Sequence, residues 1–326
     1  MRYSFFLPTL LATSLCVSFA QAGTLVGTSA DFDRWNYPFN ASPGIRSTVP
    51  TFFDGQNASF DNFDGQFLVG FNTAAAGVTP LGPGETYQVN SVTVTATHSF
   101  GSFLYDPTFD NYASHLSGTD PNFVPDSDVG RPIEIYGAGL RGGYTSFGFA
   151  GGITGPTVYN EGSFFGFADP TLPNMRNAFA FDPSFGDVSN AVDNAFFAAS
   201  PWAVGQADGL SAGDSVPSGT PGDSPGQTFS FDIDLGHAGV LDYVIDGLEN
   251  GGLFFSIVSL HGTTQAGGST PNYYTKDSFD PFAIAPTITV DYDIISVPEP
   301  STFVLAAIGL IALGAFRRRT RDAGEI

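Results

Sequence analysis

The chain has 326 residues, with 32 acidic and 11 basic side chains and a formal net charge of −21. So few Lys and Arg exclude a phosphate-binding surface, and therefore nucleic acid as a partner. The 33 Phe exclude a disordered chain, while 40 Gly and 23 Pro favour short strands joined by turns and long loops.

The N-terminal residues 1–22 have the pattern of a secretory signal peptide. Arg2 gives a positive start, an apolar run follows, and Ala20 and Ala22 give a small-x-small cleavage site. The only cysteine, Cys16, lies inside this segment. Its removal would leave an exported protein that has no disulfide, no cysteine metal ligand and no cysteine nucleophile.

Strands are predicted along the rest of the chain from hydrophobic periodicity. Alternating apolar and polar residues predict half-buried strands over 92–97, 229–235 and 288–294. Continuous apolar runs predict fully buried strands over 67–71 and 253–260. Shorter or weaker strands are predicted over 133–136, 147–149 and 164–167.

One helix interrupts this pattern at residues 240–250. Its apolar residues Leu241, Val244, Ile245 and Leu248 recur at helical spacing, and Gly251 is placed to end it. Residues 208–227, rich in Gly, Ser, Pro and Asp, predict a long surface loop or a flexible insert. The fold class is therefore all-β, an antiparallel sandwich or jelly roll with one short helix and long loops.

The second half of the body resembles the DNRLRE, or disaggregatase-related, jelly-roll family. The resemblance rests on the strand FDID, the segment GLENGGL, the strand FFSI, residues 273–277 (YYTKD) and a final strand from Pro286 to Val290. Lys276 and Asp277 stand where the family usually has Arg and Glu. The resemblance implies a carbohydrate-binding or adhesive module without catalytic activity.

Residues typical of a catalytic centre are not arranged in a recognisable motif. The four histidines, His98, His115, His237 and His261, lack paired metal-ligand spacing. The two G-x-S-x-G matches, at 209–213 and 222–226, lie in the Gly/Ser/Pro-rich segment 208–227 rather than between a strand and a helix. A glycosidase would need two carboxylates flanking a sugar, and so many acids leave such a pair unidentified. We therefore expect no enzyme activity, with a secreted glycan-active enzyme as the weaker alternative.

Aspartates are the candidate ligands for a cation, since calcium prefers carboxylate and carbonyl oxygens. None of them has the spacing of an EF-hand loop. Loop candidates are Asp126 with Asp128, Asp106 with Asp110, and Asp61 with Asp64; strand candidates are Asp232 with Asp234 and Asp291 with Asp293. The strand pairs are equally typical of a solvated strand face, unless the two strands are neighbours and crowd four carboxylates together.

Aromatic side chains are the candidates for stacking on sugar rings. Trp35, Tyr37 and Trp202 are the first choices, and Tyr112, Tyr273 and Tyr274 are further ones. Aromatic residues of this kind are more often found in the core or in a packed loop.

The C-terminal residues 297–326 combine three features. Pro298-Glu299-Pro300 precedes the uncharged run 302–316, and Arg317-Arg318-Arg319 follows it. The run predicts a short transmembrane helix with its basic end in the cytoplasm. The order resembles the PEP-CTERM sorting signal, which implies an exosortase-type membrane enzyme as partner and association with extracellular polysaccharide or a biofilm matrix.

The sequence thus predicts a signal peptide (1–22), an extracytoplasmic β-sandwich domain (23–296) and a sorting signal (297–326). The protein would be anchored in the inner membrane in transit, then reach the cell surface or matrix. Its predicted role is non-catalytic association with polysaccharide. The alternative is a Ca²⁺-stabilised adhesion module that binds other proteins.

Overall fold

A computed structural model describes the chain over residues 21–37, 42–53, 65–115, 118–150, 155–163, 176–188, 199–262, 270–297 and 309–310. Its contacts divide the chain into two units. The smaller unit combines residues 1–22, 81–88 and 293–326, and the larger one combines residues 23–80 and 89–292.

The described residues are mostly β. The strands are β1 (Gln21–Ser29), β2 (Phe32–Asn36), β3 (Thr48–Pro50), β4 (Gln66–Phe71), β5 (Glu85–Phe100), β6 (Ile133–Leu140), β7 (Ser146–Phe147), β8 (Val158–Tyr159), β9 (Ala178–Phe181), β10 (Ala203–Val204), β11 (Thr228–Asp232), β12 (Leu253–Ser259), β13 (Asn272–Tyr274) and β14 (Thr287–Ser296). The helices are a 3₁₀ turn at Tyr112–His115 and α1 (Ala238–Glu249).

The first six-stranded sheet has the order β1-β14-β5-β13-β3, with β11 also paired to β5. The pairings of β5 with β11 and of β13 with β5 and β3 are antiparallel. Alternate residues of β14 are buried, as predicted for 288–294, and Val92, Val94 and Ala96 of β5 lie in the core. The predicted strand 229–235 is confirmed only as far as Asp232.

The second six-stranded sheet has the order β10-β6-β12-β4-β2, with β9 also paired to β6, and its pairings are antiparallel. Every residue of β4 and β12 is buried, which confirms two of the predicted strands. Phe67 stacks on Tyr273 of the first sheet, with ring centroids 6.0 Å apart. Leu68, on the opposite face of β4, packs in a cluster with Phe32 and Phe254.

The predicted helix is confirmed as α1. Its buried stripe is Val240, Val244 and Leu248, so it is rotated from the stripe expected from the sequence. A Cβ on Gly247 would lie 2.4 Å from the Leu253 side chain, so this glycine lets the helix approach the second sheet closely. The helix ends before Gly251, whose φ of 84° suits glycine.

The Gly/Ser/Pro-rich segment 208–227 contains none of the named strands, as predicted for a loop. It is nevertheless fixed by backbone hydrogen bonds. The Gly219 N–H donates to the Ser99 carbonyl at 2.7 Å, and the Val216 N–H donates to the Phe103 carbonyl at 3.0 Å. Val216 is buried, so the segment packs against the end of β5 as an ordered loop.

Other predictions fall partly or wholly outside the described residues. The strand 164–167 lies outside them, as do all of the signal peptide except residues 21–22 and all of the transmembrane run except 309–310. Among the helices that the structure describes, none has the length and apolar character needed to span a membrane. The jelly-roll connectivity and the three domain boundaries stay predictions.

Candidate functional site

Three aspartates from the long loop between β5 and β6 converge on one point. Asp106, Asp110 and Asp128 each bring a carboxylate oxygen within 4.8 Å of the others. Asp106 and Asp110 are buried, whereas Asp128 is exposed. The convergence joins two loop pairs that the sequence marked separately, one upstream and one downstream of the 3₁₀ turn. We call these three residues the aspartate cluster.

Thr108 links two members of the aspartate cluster. Its backbone N–H and its hydroxyl contact Asp106 Oδ1 at 2.9 and 2.8 Å, and the same hydroxyl lies 2.9 Å from Asp128 Oδ2. A threonine hydroxyl has one proton, so it donates to only one of the two carboxylates at a time. The cluster therefore has fewer donors than its short contacts suggest.

Arg131 brings the fourth carboxylate to the edge of the cluster. Its Nη1 lies 2.8 Å from Asp110 Oδ2 and 2.5 Å from Asp126 Oδ2. Asp128, predicted together with Asp126 as a metal ligand, thus joins the cluster directly, whereas Asp126 joins it through the arginine. Arg131 thus contacts two of the four carboxylates in this region.

Burial and mutual repulsion disfavour the charged form of these acids. Burial raises the pKa of Asp106, and the nearby carboxylates of Asp128 and Asp126 raise it further. Burial also raises the pKa of Asp110 to about 6, although the hydrogen bond from Arg131 opposes the shift. Asp110, Asp126 and Asp128 line an open cleft of about 410 Å³, so solvent reaches the cluster from one side.

A buried carboxyl lies on β6, directly after this loop. The hydroxyls of Tyr112 and Tyr136 each donate to Glu134 Oε2 at 2.9 Å, and the two hydroxyls also contact each other. Burial raises the pKa of Glu134 to about 8 despite both bonds. Tyr112, predicted as a possible stacking residue, is therefore a core residue that satisfies a buried acid.

The strand aspartates do not form a common site. Thr95 of β5 pairs with Ser230 of β11, and its hydroxyl contacts Thr287 of β14 at 2.7 Å, so β5 lies between those strands. Asp232 and Asp291 are thus separated by two interstrand spacings, roughly 10 Å.

Local partners account for the first strand pair instead. Asp232 accepts a hydrogen bond from Thr93 at 2.7 Å, and Asp234 Oδ1 accepts one from the Gly236 N–H at 2.8 Å beyond the end of β11. Asp293 lies two residues beyond Asp291 on β14. The crowded four-carboxylate surface expected from neighbouring strands is therefore not formed.

A second concave site, the aromatic cleft, lies beside α1. The cleft measures about 730 Å³ and is lined by aromatic side chains, by small residues and by a polar edge. Phe147 and Phe149 are half-buried and stack on Phe254, with ring centroids 4.4 and 5.0 Å apart. The other lining residues used below are Tyr144, Tyr243, Asp246 and Asn250.

The polar edge of the aromatic cleft is formed by Asp246, in the last turn of α1, and by Asn250, the residue that follows the helix. Asn250 Nδ2 donates to Asp246 Oδ1 at 2.9 Å, and both side chains are exposed. Tyr243 is held in place because its hydroxyl donates to the Phe254 carbonyl at 2.7 Å. A flat apolar floor with hydrogen-bonding groups at its rim suits a ligand that has an apolar face and polar edges.

The predicted stacking residues lie elsewhere. Trp202 is 1% exposed and packs edge-on against Phe181 and Tyr243, so its ring is out of a ligand's reach. Tyr273 and Tyr274 are also buried. Trp35 and Tyr37 are half-buried and stack on each other at 4.6 Å, with the Arg46 guanidinium 4.7 Å from the Trp35 ring. They form a packed aromatic group outside the aromatic cleft.

Two buried acids come together around a lysine in the larger unit. The Asp33 N–H donates to Glu161 Oε1 at 2.6 Å, and the Lys276 N–H donates to Asp33 Oδ2 at 2.5 Å. Lys276 Nζ lies 3.0 Å from Glu161 Oε1 and 3.0 Å from Asp277 Oδ2. Burial raises the pKa of Asp33 to about 7, opposed by Lys276 and reinforced by Glu161.

The histidines show no shared ligand geometry among the described residues. His98 is buried, its Nδ1 lies 3.0 Å from the Pro217 carbonyl, and burial lowers its pKa. His98 and His261 both pack edge-on against Phe103. His237 is exposed at 3.8 Å from Asp234.

The residues of the aromatic cleft were missed as ligand-binding candidates. Residues 147–149 were noticed only as a weak strand, and the spacing of Asp246 and Asn250 gives no signal beyond the outer face of a helix. The aspartate cluster was partly anticipated, because all of its members lie in loop pairs that the sequence singled out.

Comparison with protein-family models identifies a PEP-CTERM protein-sorting motif at residues 296–319. Comparison with curated proteins finds no match. The family match confirms the resemblance carried by Pro298-Glu299-Pro300 and Arg317-Arg318-Arg319. The chain therefore carries a PEP-CTERM sorting motif, which implies an exported protein targeted to an exosortase-type membrane enzyme.

Proposed function

We propose that this exported protein is a non-catalytic component of the cell surface or extracellular matrix that binds polysaccharide in the aromatic cleft. The observation that carries the proposal is the pairing of Phe147 and Phe149, stacked on Phe254, with the polar edge formed by Asp246 and Asn250. A sugar ring has an apolar C–H face that packs on an aromatic ring, and its hydroxyls need hydrogen-bonding partners.

The non-catalytic part of the proposal is supported by the state of Asp33 and Glu161, a pair of acids that approach each other outside the aspartate cluster. Asp33 and Glu161 are both buried, and each is engaged by Lys276 or by backbone N–H groups. Neither lines the aromatic cleft. A glycosidase would instead need one acid on each side of the bound sugar. This acid pair therefore fits a structural role, because its contacts with Lys276 join β2, residue 161 and the chain just after β13.

The test compares exposed residues on one helix. Full-length protein in detergent micelles is run through gels containing extracellular polysaccharide from the producing cells, and its retardation gives the affinity. Asp246→Ala and Asn250→Ala should each weaken binding about tenfold, the cost of losing one hydrogen bond to a sugar hydroxyl. Asp242→Ala is the matched control, since Asp242 is exposed one turn earlier on α1 and does not line the cleft.

Two outcomes would contradict the proposal. The wild-type protein could pass through the polysaccharide without retardation, or Asp246→Ala could bind as tightly as Asp242→Ala. Release of reducing ends from the polysaccharide would instead favour the glycan-active enzyme.

A further inference from the structure

The aspartate cluster contains a buried oxygen without a donor. Asp106 is 2% exposed, and its Oδ2 is buried with no hydrogen-bond partner in the part of the chain that the structure describes. The other oxygen, Oδ1, lies within hydrogen-bond distance of both the N–H and the hydroxyl of Thr108. A buried carboxylate is ordinarily paired, hydrogen-bonded at both oxygens or bound to a metal, because desolvating it without a partner is costly.

The nearest cation does not supply the missing partner. Arg131 Nη1 contacts Asp110 and Asp126 rather than Asp106. The Ser114 hydroxyl, which lines the adjoining cleft, is also buried without a partner among the described residues. Asp106 and Ser114 therefore provide two unused oxygens in addition to the convergence of the three carboxylates.

We propose that Asp106, Asp110 and Asp128 bind one calcium ion. Oxygens that share a calcium at 2.3–2.6 Å lie at most about 5 Å apart, and those of the cluster lie within 4.8 Å of one another. The ion takes six to eight oxygen ligands, and the open cleft beside exposed Asp128 leaves room for water to supply the remainder. Magnesium is usually held by one or two carboxylates and keeps several waters, so three converging carboxylates favour calcium.

The site goes beyond the proposed polysaccharide binding and is tested without polysaccharide. Full-length protein in detergent, freed of metal with a chelator, is titrated with CaCl₂ and with MgCl₂ by calorimetry, and thermal unfolding is recorded in parallel. We expect one calcium per chain with a Kd of about 10⁻⁴ to 10⁻³ M, typical of extracellular sites. About 10 mM calcium should raise the Tm by about 5 °C.

Three variants separate ligation from general charge. Asp128→Asn should weaken calcium binding at least tenfold, and its folding is unaffected because Asp128 is exposed. Asp223→Asn, which changes another exposed loop aspartate, should bind calcium like the wild type. Asp106→Asn should lose the calcium response yet unfold in chelator at a temperature no lower than the wild type, since it removes the unpartnered buried charge.

The proposal is overturned if wild-type protein shows neither binding heat nor a Tm shift at about 10 mM calcium, where such a site would be saturated. Equal calcium affinities of Asp128→Asn and Asp223→Asn would also overturn it. An Asp106→Asn variant that is less stable in chelator and still binds calcium would contradict the ligand assignment. Magnesium binding as tight as calcium binding would contradict the choice of ion.

Discussion

The buried acid Asp33 should make the folded protein less stable as the pH rises. Its pKa is raised from 3.8 to about 7 in the folded protein, chiefly by burial. The folded state therefore holds a proton on Asp33 at pH values where the unfolded chain has released it. The contribution of Asp33 to the free energy of unfolding is fully present below pH 3.8 and is lost as the pH rises through about 7. The change to be tested is Asp33→Asn, which keeps the shape of the neutral carboxyl but cannot ionise.

The magnitude follows from the two pKa values. Between about pH 5 and pH 8 the unfolded carboxyl is almost fully ionised, while the folded one stays protonated until about pH 7. The unfolding free energy therefore falls over about two of these three pH units, by about 1.4 kcal/mol for each unit. The wild type should lose on the order of 2 to 3 kcal/mol of unfolding free energy over this range through Asp33 alone. Glu134, whose pKa is raised to about 8, adds a loss of the same sign.

The assay is urea unfolding of full-length protein in detergent at about pH 5, 6, 7 and 8, followed by tryptophan fluorescence. The unfolding free energy of Asp33→Asn should not show the part of the pH-dependent loss that comes from Asp33 in the wild type. Asp277→Asn is the control, because Asp277 contacts the same Lys276 with a side chain that is 34% exposed. The wild type alone does not decide, because buried His98, whose pKa is lowered, gains stability over the same pH range. The reasoning would be refuted if the slope of stability against pH were the same for Asp33→Asn as for the wild type.

Further predictions concern packing, backbone and sorting. Gly137→Ala should cost about 1–3 kcal/mol in urea unfolding, because its Cβ would lie 2.5 Å from the rings of Phe181 and Trp202. Trp202→Ala should cost about 3–5 kcal/mol by the same measurement, since it empties a fully buried site. Gly251→Ala should cost about 1–2 kcal/mol, because the residue has a φ of 84°. Replacing Pro298-Glu299-Pro300 by alanines should leave the full-length chain unprocessed in its host, seen as a larger band on immunoblots of cell fractions.

The strands that the sequence predicted well are those whose burial is regular. Residues 288–294 alternate because one face of β14 is covered, and residues 67–71 and 253–260 are apolar throughout because both faces of β4 and β12 are covered. The strand 229–235 was overextended because Asp234 continues the alternation although it accepts a hydrogen bond from the Gly236 N–H in a turn. Periodicity does not mark where a strand leaves its partner.

The candidate sites were harder to predict because they depend on which loops meet. Asp106 and Asp128 are more than twenty residues apart in the chain, and nothing local indicates that Thr108 bridges them. Trp202 is a different case. Its residue type is compatible both with stacking on a sugar and with a place in the core, and Gly137 opens a space on β6 that its indole occupies. Residue type alone does not decide whether a tryptophan lies at the surface or in the core.

Strand β6 connects the two candidate sites. The loop with the aspartate cluster leads into its first residues, where Glu134 lies in the core, and its last residues, Ala138 and Leu140, line the aromatic cleft. The strand spans roughly 25 Å and pairs with β9, β10 and β12, so it is a rigid element rather than a hinge. Sites that lie this far apart without a shared partner usually contribute independently. Calcium and polysaccharide should therefore bind without strong coupling, so Asp128→Asn and Asp246→Ala would each weaken one binding activity and leave the other intact.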